Sequence, residues 1–190
     1  MNKENQYKPK GFKVSPKSAS TIGSVARSVM SVLLPVTRVA RATDIDFEQF
    51  VERILPTIGI EFDSITDTSR DIEPGAPAAM IGNKLKMRDS CYIGLCGGVP
   101  RDVFTLFHEL GHYFLGHERQ YTREELREHQ AYEDSEWQAN EFSGECLMPL
   151  SVIINKKLNT IEKIRTEFGV SYEAAEVRLD KLRKRRVINF

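Results

Sequence analysis

Five consecutive residues, His108-Glu109-Leu110-Gly111-His112, constrain this chain more than any other feature. They fall in a run whose apolar positions Val103, Phe107, Leu110 and Phe114 repeat at the helical period. The run follows the breaker Gly97-Gly98-Val99-Pro100 and stops at Gly116, with Pro100 suited to the first helical position. On a helix, positions four apart share a face one turn apart. Two imidazoles so placed can grip one metal ion, and zinc suits them. Glu109, next to the first histidine, can reach a water at the metal without occupying the metal. Zinc lowers the pKa of such a water to about 7. A carboxylate can then take its proton during attack on a peptide carbonyl and pass it to the leaving amine. The bland alternative is a chance pentapeptide on an ordinary helix. Against it, His108, His112 and His117, three of the four histidines, lie between positions 108 and 117. Gly111 costs a helix roughly 1 kcal/mol relative to alanine, so its presence points to close packing around the site.

A catalytic zinc site ordinarily has three protein ligands and a water. His117 has the wrong spacing for the third. A run with a third histidine needs Gly and His where Leu115 and Glu118 stand. His117 is therefore expected at the surface or beside a ligand, and His129 in a solvated loop. The downstream run Glu136-Trp137-Gln138-Ala139-Asn140-Glu141-Phe142 puts Glu136 and Asn140 one turn apart on the next helix. Glu136 can bind the metal while Asn140 hydrogen-bonds a ligand histidine or the helix end. Glu136 can also be a solvated helix charge, and Glu133, Asp134, Glu141 and Glu145 compete for the ligand role. Tyr113, Tyr121 and Arg101 are candidates to stabilise an oxyanion, and the sequence selects none of them.

The rest of the chain reads as an α+β domain. A basic, Pro/Gly-punctuated arm occupies residues 1–18. A helix from Ser20 carries Ile22, Val25, Val29 and Leu33 and ends near Pro35; a second, from Asp44 or Asp46, carries Phe47, Phe50, Val51, Ile54 and Leu55. Strands are expected at Ile58–Phe62, Ala78–Ile81 and Ser90–Leu95, with a loop over Asp67–Pro77 and a polar turn at Gly82–Arg88. Together they make a small mixed or antiparallel sheet, and Ser90–Leu95 is expected as an edge strand able to pair with an extended substrate. A helix over Tyr132 or Ser135 to Cys146 precedes two more, Thr160–Phe168 and Ser171–Arg185, joined by Gly169. Ile161, Ile164, Phe168, Val170, Ala174, Val177 and Leu179 or Leu182 give this tail a core face. The expected division is an arm at 1–18, a main domain at 19–155 and a helical subdomain at 156–190.

Formal net charge is zero, so no whole-molecule field points to nucleic acid or membrane. Cys91, Cys96 and Cys146 are too few and too odd in number for a secreted disulfide framework; Cys91 and Cys96 read as core or strand cysteines and Cys146 as a buried helix residue. The N-terminus shows no signal-peptide core, and Val29–Val36 is too short to span a bilayer. The expected compartment is the cytoplasm.

Three strings occur in order: Phe104–His112 with the two-histidine motif, Glu136-x-x-Ala139-Asn140-x-Phe142, and Leu147-Met148-Pro149. Together they resemble the ImmA/IrrE family of metallopeptidases, a gluzincin-like pattern, over residues 44–185. The resemblance implies zinc bound by His108, His112 and Glu136, with Glu109 as catalytic base, on zincin-like site helices. It also implies a protease that cuts a helix-turn-helix transcriptional repressor as its protein partner. The tail looks like a helix-turn-helix whose basic end can touch phosphates, but a subdomain packed on the protease is the preferred reading because the chain is neutral overall. The competing function is a non-proteolytic metal-containing regulator that captures a repressor or senses zinc; retention of Glu109 favours the enzyme.

Overall fold

Polar caps and apolar periods set the helices of this computed structural model, which describes residues 7–117 and 129–189. Helix α1 (Ala19–Thr37) starts where the Ser18 side chain accepts from the Thr21 N–H, and ends on Arg38 in the left-handed region. Ile22, Ala26, Met30 and Leu33 form its buried stripe, while Val32 and Val36 stay exposed. With the short turn that follows, Ala19–Asp44 is long and apolar enough to cross a membrane by length and composition. This extends the shorter run weighed from sequence.

The next helical stretch is capped by Asp46 and runs as α2 (Phe47–Gln49), a π turn (Phe50–Ile54) and α3 (Leu55–Thr57). The Leu55 N–H returns to the Phe50 carbonyl in the wide π pattern, just ahead of Pro56, which has no N–H to continue the ladder. Phe47, Phe50, Val51 and Leu55 are buried, as the helical period requires.

The sheet has the order β1-β3-β2, with β1 at Glu61–Ile65, β2 at Ala78–Ile81 and β3 at Lys84–Arg88. β1 runs parallel to β3 and β2 antiparallel to it, so the sheet is mixed. Two expectations fail here. Gly82–Arg88 is more than a turn: Gly82 takes a positive φ and the chain doubles back into β3, burying Leu85 and Met87 in alternation. Ser90–Leu95 is no strand but lies in helix α4 (Asp89–Cys96). Cys91 and Leu95, four apart, are buried together, and Ile93 between them is exposed, which is a helical and not an alternating pattern. The edge strand beside the site is therefore β2. The first strand also begins later than expected, because Ile58 lies in the turn after α3.

Helix α5 (Pro100–Phe114) buries Val103, Leu106, Phe107 and Leu110, and packs on α6 (Ser135–Leu147), which is buried along most of its length. The two approach closely at Gly111, where a Cβ would lie 3.1 Å from Ala139 Cα. Residues 7–17, part of the stretch expected as a flexible arm, are pinned to the start of α6. The Lys10 and Gly11 N–H groups donate to Asp134 Oδ2 at 2.8 and 3.1 Å, and Val14 N–H donates to the Glu133 carbonyl at 2.7 Å.

The chain ends in α7 (Leu150–Asn155), α8 (Ile161–Phe168) and α9 (Tyr172–Lys184). α8 and α9 meet through Ile164, Phe168, Val170, Ala175, Leu179 and Leu182; Ala175 is buried on that face and Val177 is exposed, so the expected stripe is shifted. α9 docks on α6 through acids of α6: Arg185 and Lys181 hold Glu141, and Arg178 pairs with Glu145. Lys181 and Arg185 of the basic end are thus turned onto α6. Cys91 and Cys146 are buried, but Cys96 is exposed at the end of α4, against its reading as a core or strand cysteine.

Candidate metal centre

Helical spacing brings His108 and His112 of α5 to one side, and the start of α6 carries Glu136 to meet them. His108 Nε2 and His112 Nε2 lie 3.1 Å apart. Glu136 Oε2 is 3.2 Å from the first and Oε1 3.3 Å from the second. Two nitrogens about 2.0–2.1 Å from one zinc at a tetrahedral angle are about 3.4 Å apart. The observed spacings match one tetrahedral ion, so this donor set fits zinc. Among the described residues these three form a group able to hold a metal.

The competing acids are engaged elsewhere. Glu133 accepts from the Gln130 N–H and pairs with Lys13. Asp134 is fully buried, caps α6 through the Trp137 N–H and receives the arm. Glu141 and Glu145 face the cations of α9. Asn140 donates from Nδ2 to the Glu136 carbonyl at 2.7 Å, one turn back along α6.

Glu109 reaches the sheet edge, where its Oε2 accepts from the Met80 N–H of β2 at 2.8 Å. Burial raises its pKa, against the histidine charges and the Met80 hydrogen bond, which lower it. Burial alone would lower His108, but the Glu136 hydrogen bond and the Glu109 and Glu136 charges outweigh it and raise its pKa. Burial would likewise raise Glu136; hydrogen bonds from both histidines overcome it and hold the carboxyl well below the usual range.

His117 stands beside a ligand, one of the two places expected for it. Gly116 at positive φ lets the His117 N–H return to the His112 carbonyl and the Gly116 N–H to that of Tyr113, a Schellman ending that folds the ring back onto the site. His117 Nδ1 is 3.0 Å from His112 Nδ1, and its Nε2 is 3.0 Å from Gln138 Oε1. Gln138 Nε2 donates to the carbonyls of Ser15 and Tyr132 at 2.9 and 2.7 Å. Those carbonyls orient the amide, so Oε1 must accept and His117 Nε2 must carry the proton. Burial pushes His117 down to about 4, keeping it neutral. Its Nδ1 is then an acceptor and His112 Nδ1 donates to it, which leaves His112 Nε2 as the nitrogen that faces Glu136 and His108. The sequence carried no signal for Gln138 or for the Met80 amide, because neither belongs to the local motif.

His129 is not solvated: it is buried, with Nε2 3.2 Å from Asp134 Oδ2. Arg101 lies two turns before His108 and is exposed. Tyr113 packs on Phe114 with ring centroids 5.2 Å apart. Tyr121 lies outside the described residues.

A two-histidine helix facing a carboxylate helix, with a buried glutamate next to the first histidine, is the arrangement of a metallopeptidase-type centre. The model of the IrrE N-terminal-like domain (Peptidase_M78), the ImmA/IrrE family, matches residues 98–180. The family resemblance therefore holds over the stretch that contains the whole cluster. No curated protein and no solved structure matches the chain.

Proposed function

We propose that this chain is a zinc-dependent endopeptidase that cuts a regulatory protein, a helix-turn-helix repressor being the substrate the family resemblance suggests. The observation that carries the reading is the convergence of His108 Nε2, His112 Nε2 and both Glu136 oxygens, with Glu109 buried beside them. His108, His112 and Glu136 would hold the metal. Zinc held there supplies a Lewis acid and brings a water's pKa to about 7. Glu109 is the base. Its Oε2 is held by the Met80 amide, and Oε1 takes the proton of the attacking water and returns it to the leaving amine. A carboxylate raised by burial is better matched to that exchange near neutral pH. β2 is an edge strand whose Met80 amide reaches Glu109, so an extended peptide added along β2 would run past the base. Three unpaired cysteines agree with a reducing cytoplasm.

The test is metal analysis and peptide cleavage side by side for wild type and Glu109→Gln. The expected result is about one zinc per chain in both and a loss of cleavage of roughly 10²–10⁴-fold in the variant. If repressor inactivation survives Glu109→Gln, the protein acts by binding and not by cutting.

A further inference from the structure

Beside the metal centre lies a cleft of about 570 Å³ between α5, α6 and α9, with Tyr7 and Lys10 of the N-terminal arm at its edge. It adjoins the site directly. Thr105 lines it one turn before His108, and so does Asn140, one turn after Glu136 and bonded to its carbonyl. Its floor is apolar, with Phe104, Trp137 and Met148. Its charged lining is unbalanced: Lys10, Arg101, Arg178 and Lys181 face Glu141 and Glu173.

Among the described residues, pairing leaves Lys10 and Arg101 as the unpaired lining cations, against Glu173. Glu141 is already shared by Lys181 and Arg185. Lys10 and Arg101 are exposed, and no ion pair joins either to an acid among the described residues. Arg178 is 94% buried by its 6% residual exposure, and pairs through Nη2 with Glu145 and the Met148 carbonyl. Its Nε is a buried donor with no hydrogen-bond partner among the described residues. The Arg178 guanidinium is thus committed to Glu145 and Met148, which leaves Arg101 and Lys10 as the cleft's free cations among the described residues.

We infer that this cleft seats an acidic side chain of the peptide substrate next to the scissile bond, its carboxylate met by Arg101 and Lys10 at the rim. The inference deepens the peptidase reading and rests on it for the term "substrate"; the recognition of an acidic peptide can be measured without any cleavage. A guanidinium and an ammonium converging on one carboxylate give charge-assisted bonds that its uncharged amide isostere cannot match.

The probes are two blocked peptide pools of one random design lacking other acidic residues, one with glutamate and one with glutamine at a fixed central position. Retention is measured on immobilised full-length Glu109→Gln protein loaded with zinc, which binds without turnover. The glutamate pool should be retained about tenfold better, a difference of about 1.4 kcal/mol, and the preference should shrink with added salt. Adding Lys10→Gln and Arg101→Gln should bring the two pools to parity. Lys84→Gln, on the far side of the sheet, should leave the preference in place. Equal retention of the pools, retention of neither, or a preference that survives the double substitution overturns the inference. Cleavage by wild type is scored separately: if neither pool is cut while the glutamate preference stands, the peptidase reading falls and the acidic-peptide site remains.

Discussion

Gly111→Ala sets two effects of opposite sign against each other at the centre of the site. Helix propensity favours the change by about 1 kcal/mol. Packing opposes it: the new Cβ would lie 3.1 Å from Ala139 Cα, 3.2 Å from the Ala139 carbonyl oxygen and 3.2 Å from Phe142 Cδ1. Two of those atoms are backbone and cannot rotate away, so α6 must back off by a few tenths of an ångström. Overpacking of this kind costs about 1–3 kcal/mol, and the rigid neighbours place it toward the upper end. The net expectation is a loss of about 1–2 kcal/mol, or a fall in Tm of roughly 3–6 °C for a chain of this size. Gly144→Ala is the internal comparison. It sits in α6, but its Cβ would meet only Arg178 Cδ and Nη1 at 3.8 Å, an ordinary contact. That change should stabilise by about 0.4–1 kcal/mol. Thermal unfolding of metal-free protein measures both without contribution from bound zinc. The same retreat of α6 carries Glu136 from the histidines, so zinc affinity of Gly111→Ala should fall by about tenfold in a competition titration. A higher Tm for Gly111→Ala, with zinc affinity unchanged, would refute the close helix approach as the reason for this glycine.

Glu136→Ala should lower zinc affinity more steeply than any change to Glu133, Asp134, Glu141 or Glu145, read by competition with a chromogenic chelator; retention of tight binding would move the third ligand to another acid. His117→Phe keeps the ring volume and removes both nitrogens, so zinc affinity should drop about 10–100-fold with an unchanged far-ultraviolet circular dichroism spectrum. An unchanged affinity would show that the chain from Gln138 through His117 does not hold His112. Glu141 gives a pH signature. Burial would raise its pKa, but the Arg185 and Lys181 interactions bring it down to about 2 from an ordinary 4.5. Because the folded value is depressed, its contribution, on the order of 3 kcal/mol, is fully present above about pH 4.5 and is lost as pH falls toward 2. The stability difference between wild type and Glu141→Gln in denaturant titrations should therefore shrink across that window; a difference constant with pH would contradict it.

Local signals in the sequence served well where a local rule decides the structure. The caps at Asp46 and Ser171, the stop at Gly169 and the helix around the two-histidine motif each depend on residues within a turn of one another. Ser90–Leu95 misled because a short apolar run has no period long enough to separate strand from helix, and tertiary burial of Cys91 and Leu95 made the choice. Gly82–Arg88 misled because its charged positions Lys84 and Lys86 lie on the outer side of a strand that buries Leu85 and Met87. His129 looked solvated in sequence, yet Asp134 draws it inside.

The sequence by itself determined the pairing of His108 with His112 and the position of Glu109 beside them, because one helical turn places residues four apart on the same face. Which acid completes the cluster was decided only by tertiary structure. Five acids stood on or just before the same downstream helix, and helical geometry alone treats them alike. The close approach at Gly111, the capping of α6 by Asp134 and the capture of Glu141 and Glu145 by α9 left Glu136 facing the histidines. Those are contacts between elements far apart in the chain, set by packing distances that no local period encodes.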